Sequence, residues 1–231
     1  MNEPLKAQRV SNTLTGHWEK ILLQKMARAL PGWVMPDHLT ILGIISTFVI
    51  ALGYILSWLN PWWLMLANAG FAIHWFGDSL DGTLARFRHI ERERYGYFVD
   101  HISDAFMTAV VCVAFGLSPM MQLEIGLMLT IGYLLINIYA HVSVYTTRIF
   151  RLSYAKLGPT EIRIIVILAN TLLIFWNPVL LHFKGISLTF IDLAGLFFAF
   201  GFLVVFIISS VLDAIKLDRL DRAESRRRDS N

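Results

Sequence analysis

The sequence predicts an all-α integral membrane protein with six transmembrane helices, an N-terminal amphipathic interfacial helix and both termini cytoplasmic. Three observations carry that expectation. The 231 residues are 56% hydrophobic and only 16% charged, against about 45–50% and about 25% in an ordinary soluble domain. A soluble fold of this size cannot hide so much apolar surface, so lipid must be part of the solvent. Six apolar stretches approach the roughly 20 residues that cross a bilayer as a helix. Lys and Arg are also distributed very unevenly between the two sides those stretches define. The single cysteine, Cys112, excludes an intrachain disulfide and a cysteine metal cluster. A net charge of +3 is too small to imply a nucleic-acid partner.

The elements follow in chain order. The first sixteen residues are polar and lack the short apolar core of a cleavable signal peptide. Trp18, Ile21, Leu22, Met26, Ala29 and Leu30 then recur at helical spacing, with Glu19, Lys20, Gln24 and Arg28 elsewhere. This pattern suits a helix lying in the cytoplasmic interface or on the protein's own cytoplasmic surface. The six spans are Leu39–Trp58, Pro61–Gly77, Tyr97–Leu117, Leu123–Tyr145, Ile162–Phe183 and Leu188–Leu212. Nineteen of the twenty Lys and Arg residues fall before the first span, between the second and third, around the start of the fifth, or after the sixth. Only Lys184 falls on the other side, which places both termini inside. Three parts are expected: residues 1–38 with the interfacial helix, a six-helix transmembrane domain over 39–213, and a charged cytoplasmic tail over 214–231.

Ionisable residues inside spans are costly and functional by default. Asp78 and Asp81 end the second span; Asp100 and Asp104 open the third. Residues three or four apart share a helix face, and the short connection makes the two helices antiparallel neighbours. All four carboxylates then converge just inside the cytoplasmic face. Four anions there need cations, and hard divalent ions prefer oxygen ligands. Two such ions form the clamp used for displacement at phosphorus. Gly82 and Gly96 thin the two helices beside the carboxylates, and Arg86 can hold a phosphate by its planar fork. No activated Ser or Cys nucleophile is evident. His74, His101 and His141 have no paired metal spacing, although His101 sits beside Asp100 and can tune it. Asn68, Asn137 and Asn170 suit interhelical hydrogen bonds, and Trp58, Trp62 and Trp63 an aromatic belt.

Asp78-x2-Asp81-Gly82-x2-Ala85-Arg86, nine residues, then Gly96-x3-Asp100-x3-Asp104 resembles the signature of the CDP-alcohol phosphotransferases. Pro36-Asp37-His38-Leu39-Thr40-Ile41-Leu42-Gly43 is similar to that family's Pro-Asn-x-Leu-Thr-x-x-Gly, with Asp37 in place of the usual Asn. The resemblance implies an integral membrane enzyme that uses an alcohol to displace CMP from a CDP-linked lipid, commonly CDP-diacylglycerol. It implies dependence on Mg²⁺ or Mn²⁺, with Asp78, Asp81, Asp100 and Asp104 as the two-metal site and Asp104 also the base. It implies a CDP pocket of Gly82, Ala85, Arg86 and Thr40, and often a homodimer. The expected setting is a bacterial-type inner membrane, with the active site at its cytoplasmic face.

The acceptor is not fixed by the motif. Arg148, Arg151, Lys156 and Arg163 surround Gly158-Pro159-Thr160-Glu161, where Thr160 is expected to cap a helix. Arg matches phosphate oxygens by paired hydrogen bonds. Arg148, Arg151 and Arg163 are therefore candidate ligands of a phosphorylated polyol, such as glycerol 3-phosphate or inositol phosphate. Serine and choline are the alternatives. A divalent-cation transporter is a reading from another class, weakened because the other spans lack acidic residues near mid-depth.

Overall fold

The computed structural model describes residues 16–147, 158–183 and 185–229. Seven α-helices account for most of them: α1 (Gly16–Ala29), α2 (Pro36–Leu56), α3 (Leu64–Arg88), α4 (Glu93–Gly116), α5 (Leu123–Thr147), α6 (Pro159–Phe175) and α7 (Phe190–Asp229). A 3₁₀ turn at Pro61–Trp63 leads into α3, and a β-hairpin joins α6 to α7. Four helical segments are long and apolar enough to cross a membrane: Pro36–Leu56, Glu93–Gly116, Leu123–Ser143 and Phe190–Ala223. The chain is thus a helical membrane protein. The two other expected spans differ for physical reasons. Helix α3 carries Asp78, Asp81, Arg86 and Arg88 in its last turns. Helix α6 has 17 residues, about 26 Å of rise.

The expected fifth span, Ile162–Phe183, needs correction, and so does the purely α-helical description. Helix α6 ends at Phe175, because Asn177 precedes Pro178 and a residue before proline avoids the α conformation. The chain then forms two antiparallel strands, β1 (Val179–Phe183) and β2 (Ile186–Thr189). Gly185 takes φ 84° in the turn between them, a conformation that only glycine adopts freely. The sixth helix starts two residues later than expected. It then continues through the charged segment to residue 229, so 214–229 extends the helix. Thr189 and Asp192 cap its start reciprocally. Asp192 also accepts the Gln122 N–H at 2.9 Å, tying α7 to the α4–α5 turn.

Helices α2 and α3 form the most extensive contact in the molecule. Their backbones approach through glycines: a Cβ on Gly77 would lie 2.6 Å from the Leu39 carbonyl oxygen, and one on Gly70 equally close to the Ile50 side chain. Small residues give membrane helices this kind of close approach. Tyr54, Asn170, Asn68 and Thr171 form a buried hydrogen-bonded chain linking α2, α6 and α3. Asn68 and Asn170 thus act between helices, whereas Asn137 pairs with Tyr133 in its own helix. Trp58, Trp62 and Trp63 are exposed around the α2–α3 turn.

Helix α1 docks on the other end of this bundle. Leu23 and Ala27 are its buried residues and pack with Val34, Leu39, Leu80 and Leu84. Trp18, Ile21 and Leu22 stay exposed, so the buried face is rotated from the expected apolar stripe. Glu19 accepts hydrogen bonds from Trp75 Nε1 of α3 and Thr160 Oγ1 of α6. Thr160 is therefore not the cap of α6. Glu161 plays that part by accepting the Gly158 N–H at 2.9 Å. Arg88 fixes the α1–α2 connection by donating to the carbonyls of Leu30, Pro31, Gly32 and Val34.

Candidate active site

Helix α3 ends in a turn where His89 takes φ 56° and the Ile90 N–H returns to the Ala85 carbonyl at 3.1 Å. This is a left-handed helix stop. Helix α4 begins at Glu93, so the aspartates at the end of α3 and the start of α4 share one end of the bundle. The two helices are less intimate than expected. Helix α2 packs against both, while α3 and α4 barely touch each other. A cleft opens between them. It is lined by Thr40, Gly43, Ile44 and Thr47 of α2, by His74, Asp78 and Asp81 of α3, and by Asp100 and Ser103 of α4.

Three of the four expected carboxylates thus line one cleft. Asp104, the fourth, is half-buried on α4, in electrostatic range of Asp78, Asp81, Asp100 and Arg163. Each carboxylate has a defined neighbour. Asp78 accepts a hydrogen bond from Arg163 at 2.6 Å. Asp81 accepts one from the Thr40 hydroxyl at 2.7 Å and another from the Gly82 N–H. Asp100 lies 3.7 Å from His101 Nδ1, and His101 packs against Tyr97 and His141. Among the described residues, no three His, Cys, Asp or Glu side chains gather closely enough to hold one ion. The donor set itself is of the right kind, since clustered carboxylates are the ligands hard divalent cations take.

The other expected site residues fall as follows. Thr40 lines the cleft. Gly82, Ala85 and Arg86 follow Asp81 along the last turns of α3, and the Arg86 guanidinium folds over Gly82, 3.2 Å from where a Cβ would stand. Gly96 faces open space, so it leaves room at the start of α4 without a close helix contact. Asp37, in place of the Asn of the resembled motif, pairs with Arg92 of the α3–α4 connection, and Arg92 stacks on Tyr95. Arg163 reaches Asp78 from α6. Arg148 and Arg151 lie outside the described residues. His74 is the residue that sequence spacing passed over: it precedes Asp78 by one turn, and that spacing was the available signal.

Apolar helices thus surround a cleft lined by hard oxygen donors. The model of the CDP-alcohol phosphatidyltransferase family matches residues 33–207, and the chain belongs to that family. Comparison with curated proteins finds no match. The family's members are transferases of substituted phosphate groups, moving phospholipid head groups in reactions of CDP-alcohols, and are generally dependent on divalent metal. Membership decides for the enzyme over the cation transporter.

Proposed function

We propose that the chain transfers the phosphatidyl group of CDP-diacylglycerol to a phosphorylated polyol, such as glycerol 3-phosphate or inositol phosphate, with release of CMP by direct displacement. The carrying observation is the cleft where Asp78, Asp81 and Asp100 meet the Thr40 hydroxyl and the Arg163 guanidinium. Asp78, Asp81, Asp100 and Asp104 would hold two Mg²⁺ or Mn²⁺ ions. Bound there, the ions neutralise the pyrophosphate and stabilise the departing CMP. Thr40, Gly82, Ala85 and Arg86 line the CDP end. Asp104 takes the proton of the attacking hydroxyl. Arg163, with Arg148 and Arg151, holds the phosphate of the acceptor.

In this reading all six long helices, α2 to α7, sit in the membrane and both termini are cytoplasmic. The cationic side deduced from Lys and Arg is the end that carries the site. The donor is amphiphilic, so its tails remain in lipid while cytidine reaches the cytosol of a bacterial-type inner membrane. The interfacial residues of α1 are Trp18, Ile21 and Leu22, and a homodimer is the expected assembly. The test incubates purified protein with Mg²⁺, CDP-diacylglycerol and a panel of glycerol 3-phosphate, inositol phosphate, inositol, serine and choline, and identifies the lipid product by mass spectrometry. Product with serine or choline alone refutes the polyol acceptor. Full turnover in excess chelator refutes the metal.

A further inference from the structure

We infer that His74 is a specificity residue for the acceptor, pairing one of its hydroxyls through Nδ1 at the inner end of the cleft. The inference rests on the transfer reaction proposed above. His74 is 3% exposed and lines the cleft. Its Nδ1 is the one buried side-chain polar atom among the described residues that has no hydrogen-bond partner. Leaving such an atom unpaired costs about 1–3 kcal/mol, and buried polar groups in folded proteins are nearly always paired. The neighbouring interior obeys that rule, since Tyr54, Asn68 and Asn170 satisfy one another. The exception belongs to a residue of the cleft lining.

Its place in the cleft indicates which substrate it meets. Along α3, Gly82, Ala85 and Arg86 lie beyond Asp81, and His74 lies on the opposite side of Asp78. Displacement at phosphorus sets the attacking and leaving oxygens roughly in line. If CMP departs toward Gly82 and Arg86, the attacking alcohol occupies the side of His74. Two further hydroxyls, of Thr47 and Ser103, line the same cleft. Thr47 Oγ1 donates to the Gly43 carbonyl at 3.4 Å, and Ser103 Oγ donates to the Val99 carbonyl at 2.6 Å. Each hydroxyl oxygen keeps a lone pair for a hydroxyl donor. Imidazole Nδ1 pairs with a hydroxyl in either tautomer. A polyol supplies several hydroxyls to this set, whereas a quaternary ammonium has no hydrogen to donate to it.

The experiment compares His74→Phe, His74→Asn and His74→Gln in purified, folded protein. The Michaelis constants for CDP-diacylglycerol and for the acceptor are measured separately, with glycerol 3-phosphate, inositol, serine and choline each offered as acceptor. Asn places a polar atom near the position of Nδ1, and Gln near that of Nε2. We expect His74→Phe to raise the acceptor constant about tenfold or more, with the donor constant and the Mg²⁺ requirement unchanged. His74→Asn restores most of the loss and His74→Gln does not. If the Phe variant fails to fold, the contrast between Asn and Gln carries the test. A wild-type acceptor constant in folded His74→Phe overturns the inference. So does an equal rise for donor and acceptor, or equal behaviour of Asn and Gln. Wild-type protein that transfers nothing from CDP-diacylglycerol refutes the proposed reaction, and with it this inference, before any variant is made.

Discussion

Arg163 of α6 donates a 2.6 Å hydrogen bond to Asp78 of α3, across 85 positions of sequence. Arg163 is 9% exposed, so the guanidinium is held against Asp78, a residue of the cleft lining. One of the four aspartates therefore has a protein cation of its own, which competes with a divalent ion for the same oxygens. Arg163→Ala removes the competitor and the phosphate partner together. We expect the Mg²⁺ concentration for half-maximal activity to fall while the acceptor constant rises roughly tenfold. Paired Mg²⁺ and acceptor titrations check this, and movement of neither would remove Arg163 from the site.

Asp81 takes its hydrogen bonds from the Thr40 hydroxyl and the Gly82 N–H, neutral donors that leave its charge available to a hard divalent ion. Chelation should abolish turnover, and added Mg²⁺ or Mn²⁺ should restore it. Asp81→Ala and Asp100→Ala should each eliminate metal-dependent binding of CDP, read by calorimetry on folded protein. Retained binding in either variant would count against a shared metal site.

Asp104→Asn keeps the shape of the side chain and removes its basicity. The variant should fold and bind CDP-diacylglycerol, with turnover reduced by about 10²–10⁴. Near wild-type turnover would move the base to another group.

The Thr40 hydroxyl orients Asp81 across the α2–α3 contact. Thr40→Val deletes that bond, and a hydrogen bond to a charged group contributes about 1.5–3 kcal/mol. We expect kcat/KM for the CDP donor to fall about tenfold or more, and Thr40→Ser to recover it. Equal activity in Val and Ser variants would show that Asp81 needs no such support.

Gly77→Ala and Gly96→Ala test close approach against open space. The first drives a methyl into the Leu39 carbonyl next to Thr40, and overpacking of this kind costs about 1–3 kcal/mol. Both the melting temperature and the activity should drop. The second meets nothing and should leave the melting temperature unchanged or slightly raised. A reversed order would contradict the packing described for the two helices.

The sequence carried much of this architecture, because apolar length and the spacing of Asp78, Asp81, Asp100 and Asp104 are local signals. Helix α2 matched its expected span closely, and the aspartates fell at one end as spacing required. What escaped depends on contacts between distant segments. Ile162–Phe183 is apolar at most of its positions, so hydropathy could not separate helix α6 from strand β1; Pro178 was the available mark. The docking of α1 through Glu19 to Trp75 and Thr160 joins residues 56 and 141 positions apart, and periodicity cannot report such a bond. The burial of His74 was invisible for the same reason.

Thr40, Asp78 and Asp81 sit on the two helices whose backbones are pressed together through glycine, and Asp100 and Asp104 sit on a third that barely touches α3. The site is therefore built like a vice, with one jaw pressed close against α2 and the other seated on α2 apart from the first. The carboxylates of the two jaws repel one another across the gap, and the Arg163 guanidinium on Asp78 offsets part of that repulsion.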